Sequence, residues 1–246
     1  MQPAILCENV VKDFYFYEHR TTSIREWFIR SVQRKPIHIR RTQFSLQGFN
    51  LRVNRGEAVG LIGSNGCGKS TALRLMAGIY SPTAGTVDTF GRLAAVIELG
   101  AGFHAELTGA ENVELYAAVM GMSHKQLAMH REEIVEFSGI EGFMDMPIKY
   151  YSSGMQARLA FAVAVCAAPD ILLLDEVLAV GDRTFQERCL ARLRDFQAQG
   201  GTMVVVSHDL NMLRTFCSRA VWLDRGHVRL EGEIDRVLQA YTQEMG

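Results

Sequence analysis

One octapeptide constrains this chain more than any other feature. Gly63, Ser64, Asn65, Gly66, Cys67, Gly68, Lys69 and Ser70 run as G-x-x-x-x-G-K-[ST]. An apolar stretch of strand length, Ala58–Ile62, feeds directly into it, and Lys69–Gly78 reads as a helix after it. Strand, glycine loop and helix in that order make a cradle. The glycines let backbone N–H groups approach a polyphosphate, and the helix N-terminus adds its dipole. Lys69 has the length to reach β- and γ-phosphates, and the Ser70 hydroxyl is placed to hold Mg²⁺. Thr71 reads as support for the loop and Cys67 as filler at a free position.

Such a loop needs a sheet beneath it, and the chain supplies one. Ala4–Val10, Phe44–Val53, Ile171–Leu174, Met203–Val206 and Ala220–Leu223 are further runs of strand length. Helical stretches at Thr184–Gln199 and Leu210–Phe216 separate the later ones, and Ile234–Tyr241 is helix-like. This alternation predicts an α/β fold with a mixed, mainly parallel sheet covered on both faces.

A glycine loop of this kind serves kinases, GTPases and ATPases alike. The run Ile171-Leu-Leu-Leu174 narrows the choice, because it ends in two adjacent acids, Asp175 and Glu176. Asp175 at the strand end suits a Mg²⁺ shell. Glu176, the next residue, suits a base that polarises water for in-line attack on a γ-phosphate. Ligands collect at the carboxyl ends of strands in such sheets.

Between the sheet segments the period changes. Ala110–Met120, His124–Ser138 and Met155–Ala168 are helical, and from Glu98 to Asp145 nine acids face two bases, Lys125 and Arg131. We expect one domain over 1–246, with a sheet core at 1–97 and 169–246 and an inserted helical lobe at 98–168. The acidity is that of a solvated face. Ser23–Lys35 sets Ile24, Trp27, Phe28 and Val32 at helical spacing with Arg25, Arg30, Arg34 and Lys35 around them. Two readings stand for this helix: packing on its own domain, or contact with a membrane surface or membrane partner.

Composition closes other routes. A net charge of −1 on 246 residues gives no support to nucleic-acid binding. The longest apolar run, Leu159–Ala168, stops at Pro169 and is half of the roughly 20 residues a membrane span requires. The N-terminus does not read as a secretory signal. Five scattered cysteines with no C-x-x-C pair suggest neither zinc nor disulfides, and a reducing compartment.

The segment Tyr151-Ser152-Ser153-Gly154-Met155-Gln156 resembles the LSGGQ signature of ATP-binding cassette (ABC) proteins. Gly154 stands 21 residues before Asp175 and the segment opens an apolar helix. Ser152 and Gly154 match the signature, whereas Tyr151, Ser153 and Met155 depart from it. The resemblance covers nearly the whole chain. It implies the P-loop NTPase fold of an ABC nucleotide-binding domain, with ATP and Mg²⁺ as cofactors and a head-to-tail partnership of two copies. In that arrangement Ser152, Ser153 and Gly154 of one copy close on the ATP of the other.

The same resemblance assigns further roles. His208, after Val204-Val-Val206-Ser207, would contact the γ-phosphate beside Glu176. Asp182 would be the acid of the loop Leu178-Ala-Val-Gly-Asp182. Phe14 would stack on adenine, with Tyr15 and Tyr17 competing for that place. Where the family carries a glutamine, this chain has Val96-Ile-Glu98-Leu-Gly-Ala-Gly-Phe103, so Glu98 is the nearest polar group toward Mg²⁺ or the attacking water.

Shorter stretches, Val96–Gly109, Glu111-Asn112, Tyr150–Met155 and Leu178–Asp182, together with the insertion between Phe14 and Phe44, are similar to the branch that exports O-antigen, capsule or teichoic acid. That branch implies an ATPase with a membrane permease, at the cytoplasmic face of the inner membrane. It also implies a cargo recognised by the permease, since the chain lacks room for a carbohydrate-binding domain. A soluble ATPase of DNA repair or translation is the alternative, and would be expected to carry a long coiled coil or a second cassette. An ABC transporter of another substrate is a further one. A non-catalytic ATP-binding module fits less well, because Glu176 and His208 are both present.

Overall fold

The computed structural model describes residues 2–17, 40–97, 100, 102–176 and 181–245. The helix expected at Ser23–Lys35, Glu98, and Leu178–Val180 of the loop ending at Asp182 lie outside the described residues.

Six strands form the central sheet: β3 (Ala58–Ile62), β5 (Leu93–Val96), β6 (Ile171–Asp175), β7 (Thr202–Val206), β8 (Arg219–Asp224) and β9 (His227–Glu233). Their order is β5-β6-β7-β3-β8-β9, parallel except for β9, which runs antiparallel to β8. All five residues of β3 and of β7 are buried, as expected of central parallel strands covered on both faces. Successive residues point to opposite sides. Met203 and Val205 belong to one core with Leu172 and Leu174, whereas Val204 and Val206 belong to the other with Ile171 and Leu173.

The two faces are covered differently. One carries helices: α4 (Ser153–Cys166), α5 (Arg183–Ala198), α6 (Leu210–Phe216) and α7 (Ile234–Met245), with α2 (Gly109–Val119) and α3 (His124–Ser138) packed on α4. Helix α4 buries nine residues, which explains an apolar composition with no clear polar face. The other face carries α1 (Lys69–Met76) and a separate antiparallel sheet. That sheet consists of β2 (Arg40–Asn54), β1 (Pro3–Tyr17) and β4 (Ala84–Thr89), in that order.

Three strands escape a reading of periodicity. β4 is almost wholly exposed, β5 has four residues, and β9 alternates exposed with half-buried positions at the sheet margin. β1 and β2 also run longer than their apolar cores, because they pair with each other as far as Tyr17 and Arg40.

The strand order positions the site. β6, β7 and β3 are neighbours and parallel. Val206 sits in register with Leu61 on one side and Asp175 on the other. The segments leaving these strands therefore start from one edge: the glycine loop after Ile62, Glu176 after Asp175, and Ser207-His208 after Val206.

Candidate active site

The glycine loop is built by close approach. Gly63 has φ 146°, and a Cβ there would come within 2.2 Å of the Leu223 carbonyl oxygen. Gly68, φ 115°, would place a Cβ 2.6 Å from the Ser45 carbonyl oxygen. Neither position admits a side chain, so β2 and β8 both press on the loop. Gly68 is also the cap of α1 and lends no side chain to the helix N-terminus. The first-turn N–H groups are left for an anion.

Lys69 is 6% exposed and pre-set. Its Nζ donates to the carbonyls of Gly63 at 2.7 Å and Ser64 at 3.1 Å, holding the ammonium along the loop. Thr71 Oγ1 accepts a hydrogen bond from Ser45 Oγ at 2.8 Å, tying α1 to β2. Cys67 is buried, its thiol pushed up by burial, and its backbone carbonyl accepts from Gly226. It serves the loop as packing. The cleft in front of these groups has a volume of about 390 Å³, and its lining includes Phe14, Ser45, Asn65, Gly66, Lys69 and Glu176.

Two acids stand at its edge in different settings. Burial raises the Asp175 carboxyl above its ordinary value, and the charge of Glu176 adds to this. A hydrogen bond from Ser70 and the positive charges of Arg74 and Lys69 oppose the rise. Glu176 lies in the left-handed region, φ 53°, a conformation that costs energy for a residue with a side chain. Its N–H is held by the Val206 carbonyl at 2.9 Å. The bend turns its carboxylate to His208, whose Nε2 lies 2.9 Å from Glu176 Oε1. His208 sits on a pinned turn. Asp209 N–H donates to Ser207 Oγ at 3.0 Å, and the Asp209 carboxylate accepts from Asn211 and Met212 to cap α6.

The sequence places Mg²⁺ on Ser70 and Asp175, with Glu98, which lies outside the described residues. The residues fit a hard cation, since a hydroxyl and a carboxylate already meet there at the mouth of the phosphate cleft. No cluster of three or more His, Cys, Asp or Glu able to hold a metal exists among the described residues.

Other expected residues lie elsewhere. Ser152 caps α4, its Oγ accepting from Met155 N–H at 3.2 Å, and Ser152 and Ser153 are exposed. Asp182 caps α5 by accepting from Phe185 N–H at 2.8 Å. None of Ser152, Ser153, Gly154 and Asp182 lines the cleft. Phe14 does, at its rim.

Two motif positions gain structural reasons. Tyr151 donates its hydroxyl to the Phe143 carbonyl at 2.7 Å and fills the space over Gly109. Buried Asn112 staples the preceding loop, donating to the carbonyls of His104, Leu107 and Thr108 and accepting from His104 N–H at 2.7 Å.

Sequence reasoning missed two cleft residues, Ser45 and Arg74. Arg74 was findable, since it falls four residues after Ser70 on α1 and so shares its face. Ser45 arrives from β2, and nothing local to it signals the site.

Residues 46–179 match the ABC transporter family. The chain is 42% identical over 245 residues to the O-antigen export system ATP-binding protein RfbB of Klebsiella pneumoniae, covering all of both chains. It is 39% identical over 236 residues to the teichoic acids export ATP-binding protein TagH of Bacillus anthracis, covering 96% of this chain and 42% of that protein. Among solved structures, the ATP-binding cassette MJ0796, seen as a dimer in a post-hydrolysis state with ADP and Pi, superposes with a TM-score of 0.73. It is 25% identical and covers 94% of this chain and 98% of its own. An ATP-binding subunit of an ABC transporter superposes with a TM-score of 0.76 at 21% identity, over 97% of this chain and 93% of that one. With a phosphate cradle, two acids and a histidine at one sheet edge, the chain belongs to the ABC transporter family and is one of its ATPases.

Proposed function

We propose that this protein is the ATP-hydrolysing motor subunit of an exporter of polysaccharide or lipid-linked glycan. It works as a pair of copies beneath an integral membrane permease, at the cytoplasmic face of the inner membrane. The observation that carries the chemistry is the Glu176–His208 contact of 2.9 Å beside the Lys69–Ser70 cleft. The export reading draws its support from the full-length similarity to the Klebsiella O-antigen subunit. No helix among the described residues is long and apolar enough to cross a membrane, which is compatible with a separate permease.

The chain's residues divide the work. Lys69 and the α1 N–H groups hold the β- and γ-phosphates. Ser70 and Asp175 would hold Mg²⁺, which would neutralise phosphate charge. Glu176 accepts a proton from the water that attacks γ-phosphorus, and the bond to the ADP oxygen breaks in line. His208 keeps the Glu176 carboxylate turned toward the cleft. Residues 98–168 act as the lobe that presents Ser152, Ser153 and Gly154 to a second copy, and Asp182 joins them at that contact. Glu98 would stand in for the family's glutamine, and Ser23–Lys35 would meet the membrane or the permease.

The test is made in cells. Deleting the gene should accumulate a lipid-linked glycan on the cytoplasmic side, and Glu176→Gln should fail to restore export. Normal surface glycan in the deletion strain would overturn the export reading.

A further inference from the structure

Beside the phosphate cleft, side chains from β1, from α1 and from the segment after α1 form a ladder that the hydrolytic chemistry does not use. Phe14 and Tyr80 meet edge to face, with ring centroids 5.5 Å apart and an interplanar angle of 72°. Lys12 Nζ lies 5.3 Å from the Phe14 centroid and 5.5 Å from that of Tyr80. It cannot swing freely, because it donates to the Ser81 carbonyl at 2.8 Å. Arg74, which lines the cleft with Phe14, has its guanidinium 5.8 Å from the Tyr80 centroid.

The backbone fixes Tyr80 from two sides. Its N–H donates to the Arg74 carbonyl at 3.1 Å, at the end of α1. Three residues later Thr83 is tied to β1, donating its N–H to Val11 at 2.8 Å and accepting from Asp13 N–H at 3.1 Å. Tyr80 thus holds a set position relative to both the phosphate helix and the strand that carries Phe14.

A ring at the rim of an open cleft would otherwise rotate about two side-chain torsions, and a stacking platform must present one face. An edge-to-face neighbour and an anchored cation both restrict that rotation. We propose that Tyr80, held with Lys12, is a positioning residue that locks the Phe14 ring as the platform for the nucleotide base. Tyr80 then contributes to affinity for the base and not for the phosphates. This rests on the reading of Phe14 as the residue that stacks on adenine.

Steady-state ATPase assays of the full chain with Mg²⁺ test it, using inorganic tripolyphosphate as a competitor that carries phosphates and no base. Tyr80→Ala should raise KM for ATP about three- to tenfold, with kcat changing far less and the tripolyphosphate inhibition constant unmoved. Tyr80→Phe should restore KM, since the ring and not the hydroxyl makes the contact. Lys12→Met should raise KM about twofold. An unchanged KM in Tyr80→Ala overturns the proposal. A parallel rise in both constants overturns it too, since the loop itself would then be disturbed. Phe14→Ala separates the two levels. If it leaves KM unchanged, the base reading falls and the proposal with it. If it raises KM while Tyr80→Ala does not, only the buttress falls. Should Tyr80→Ala not fold, Tyr80→Leu carries the same expectations.

Discussion

Two helix N-termini in this molecule are capped differently and placed differently. Helix α1 starts inside an assembled cleft, with Lys69 pre-set, Ser70 bonded to Asp175, and Glu176 and His208 at the margin. Helix α4 starts from Ser152, whose side chain caps it, with Gly154 in its first turn, yet Ser152 and Ser153 are exposed and line no part of the cleft. One end has its chemistry supplied by three neighbouring strands. The other has a serine that caps its own helix, at a distance from the phosphate cleft of its own chain. The contrast fits a site completed by two copies, each bringing a whole phosphate cleft and an exposed, serine-capped helix end.

The largest effect is expected at the assembled end. Glu176→Gln keeps shape and loses the base, so turnover should fall about 10²- to 10⁴-fold while ATP binding persists, as read by single-turnover hydrolysis and calorimetry. Near-normal turnover would remove Glu176 from its role.

The exposed end should behave differently. A Cβ on Gly154 meets nothing nearer than Ser152 Oγ at 3.8 Å, so Gly154→Asp fits the fold of the single chain. Its charge at a helix N-terminus should not weaken α4. Thermal stability and ATP binding by the isolated chain should hold, while turnover drops at least about tenfold because the carboxylate meets the partner's phosphates. If turnover is unaffected, the α4 end takes no part in catalysis.

Smaller effects belong to the scaffold. Arg219, at the start of β8, bonds Glu57 at 2.8 Å and the Arg52 carbonyl at 2.6 Å, and pairs with Glu231. Burial would raise the Glu57 carboxyl, but hydrogen bonds from Arg219 and Asn54 and the Arg219 charge outweigh it and hold it below its ordinary value. Its contribution to stability is therefore present above about pH 4.3 and lost as pH falls through the lowered value. Glu57→Ala should cost about 1–3 kcal/mol near neutral pH by urea unfolding, and the gap to wild type should narrow in acid. A gap that widens in acid would contradict the sign.

The smallest effect concerns the turn under His208. Asp209→Ala removes the α6 cap and should cost about 1 kcal/mol, with a modest loss of turnover as His208 loosens. Full turnover with the same stability loss would show that the cap matters only to the helix.

How far the sequence foretells this arrangement depends on how each part is made. β3, β6 and β7 are buried on both faces and read as unbroken aliphatic runs, so the sheet interior and the residues at its edge were legible. Gly63–Ser70, Asp175, Glu176 and His208 are each local to a strand end. The antiparallel sheet was not legible as a separate layer, because β4 exposes Gly85, Thr86 and Asp88 and its pairing with β1 spans some eighty residues. Ser45 reaches the cleft through that layer, and Tyr80 meets Phe14 beside it, placements that come from pairing rather than pattern. The departure at Tyr151 from the signature, and the presence of Asn112 in a stretch similar to the export branch, became intelligible only as packing and loop stapling.

Sedimentation of Glu176→Gln with ATP and Mg²⁺ tests the two-copy site most directly. The chain mass is 27.5 kDa. The two-ended arrangement predicts a species of twice that mass with ATP, reverting to the single chain with ADP, and abolished when Gly154→Asp is added. A variant that binds ATP yet sediments as a single chain at every concentration would contradict it.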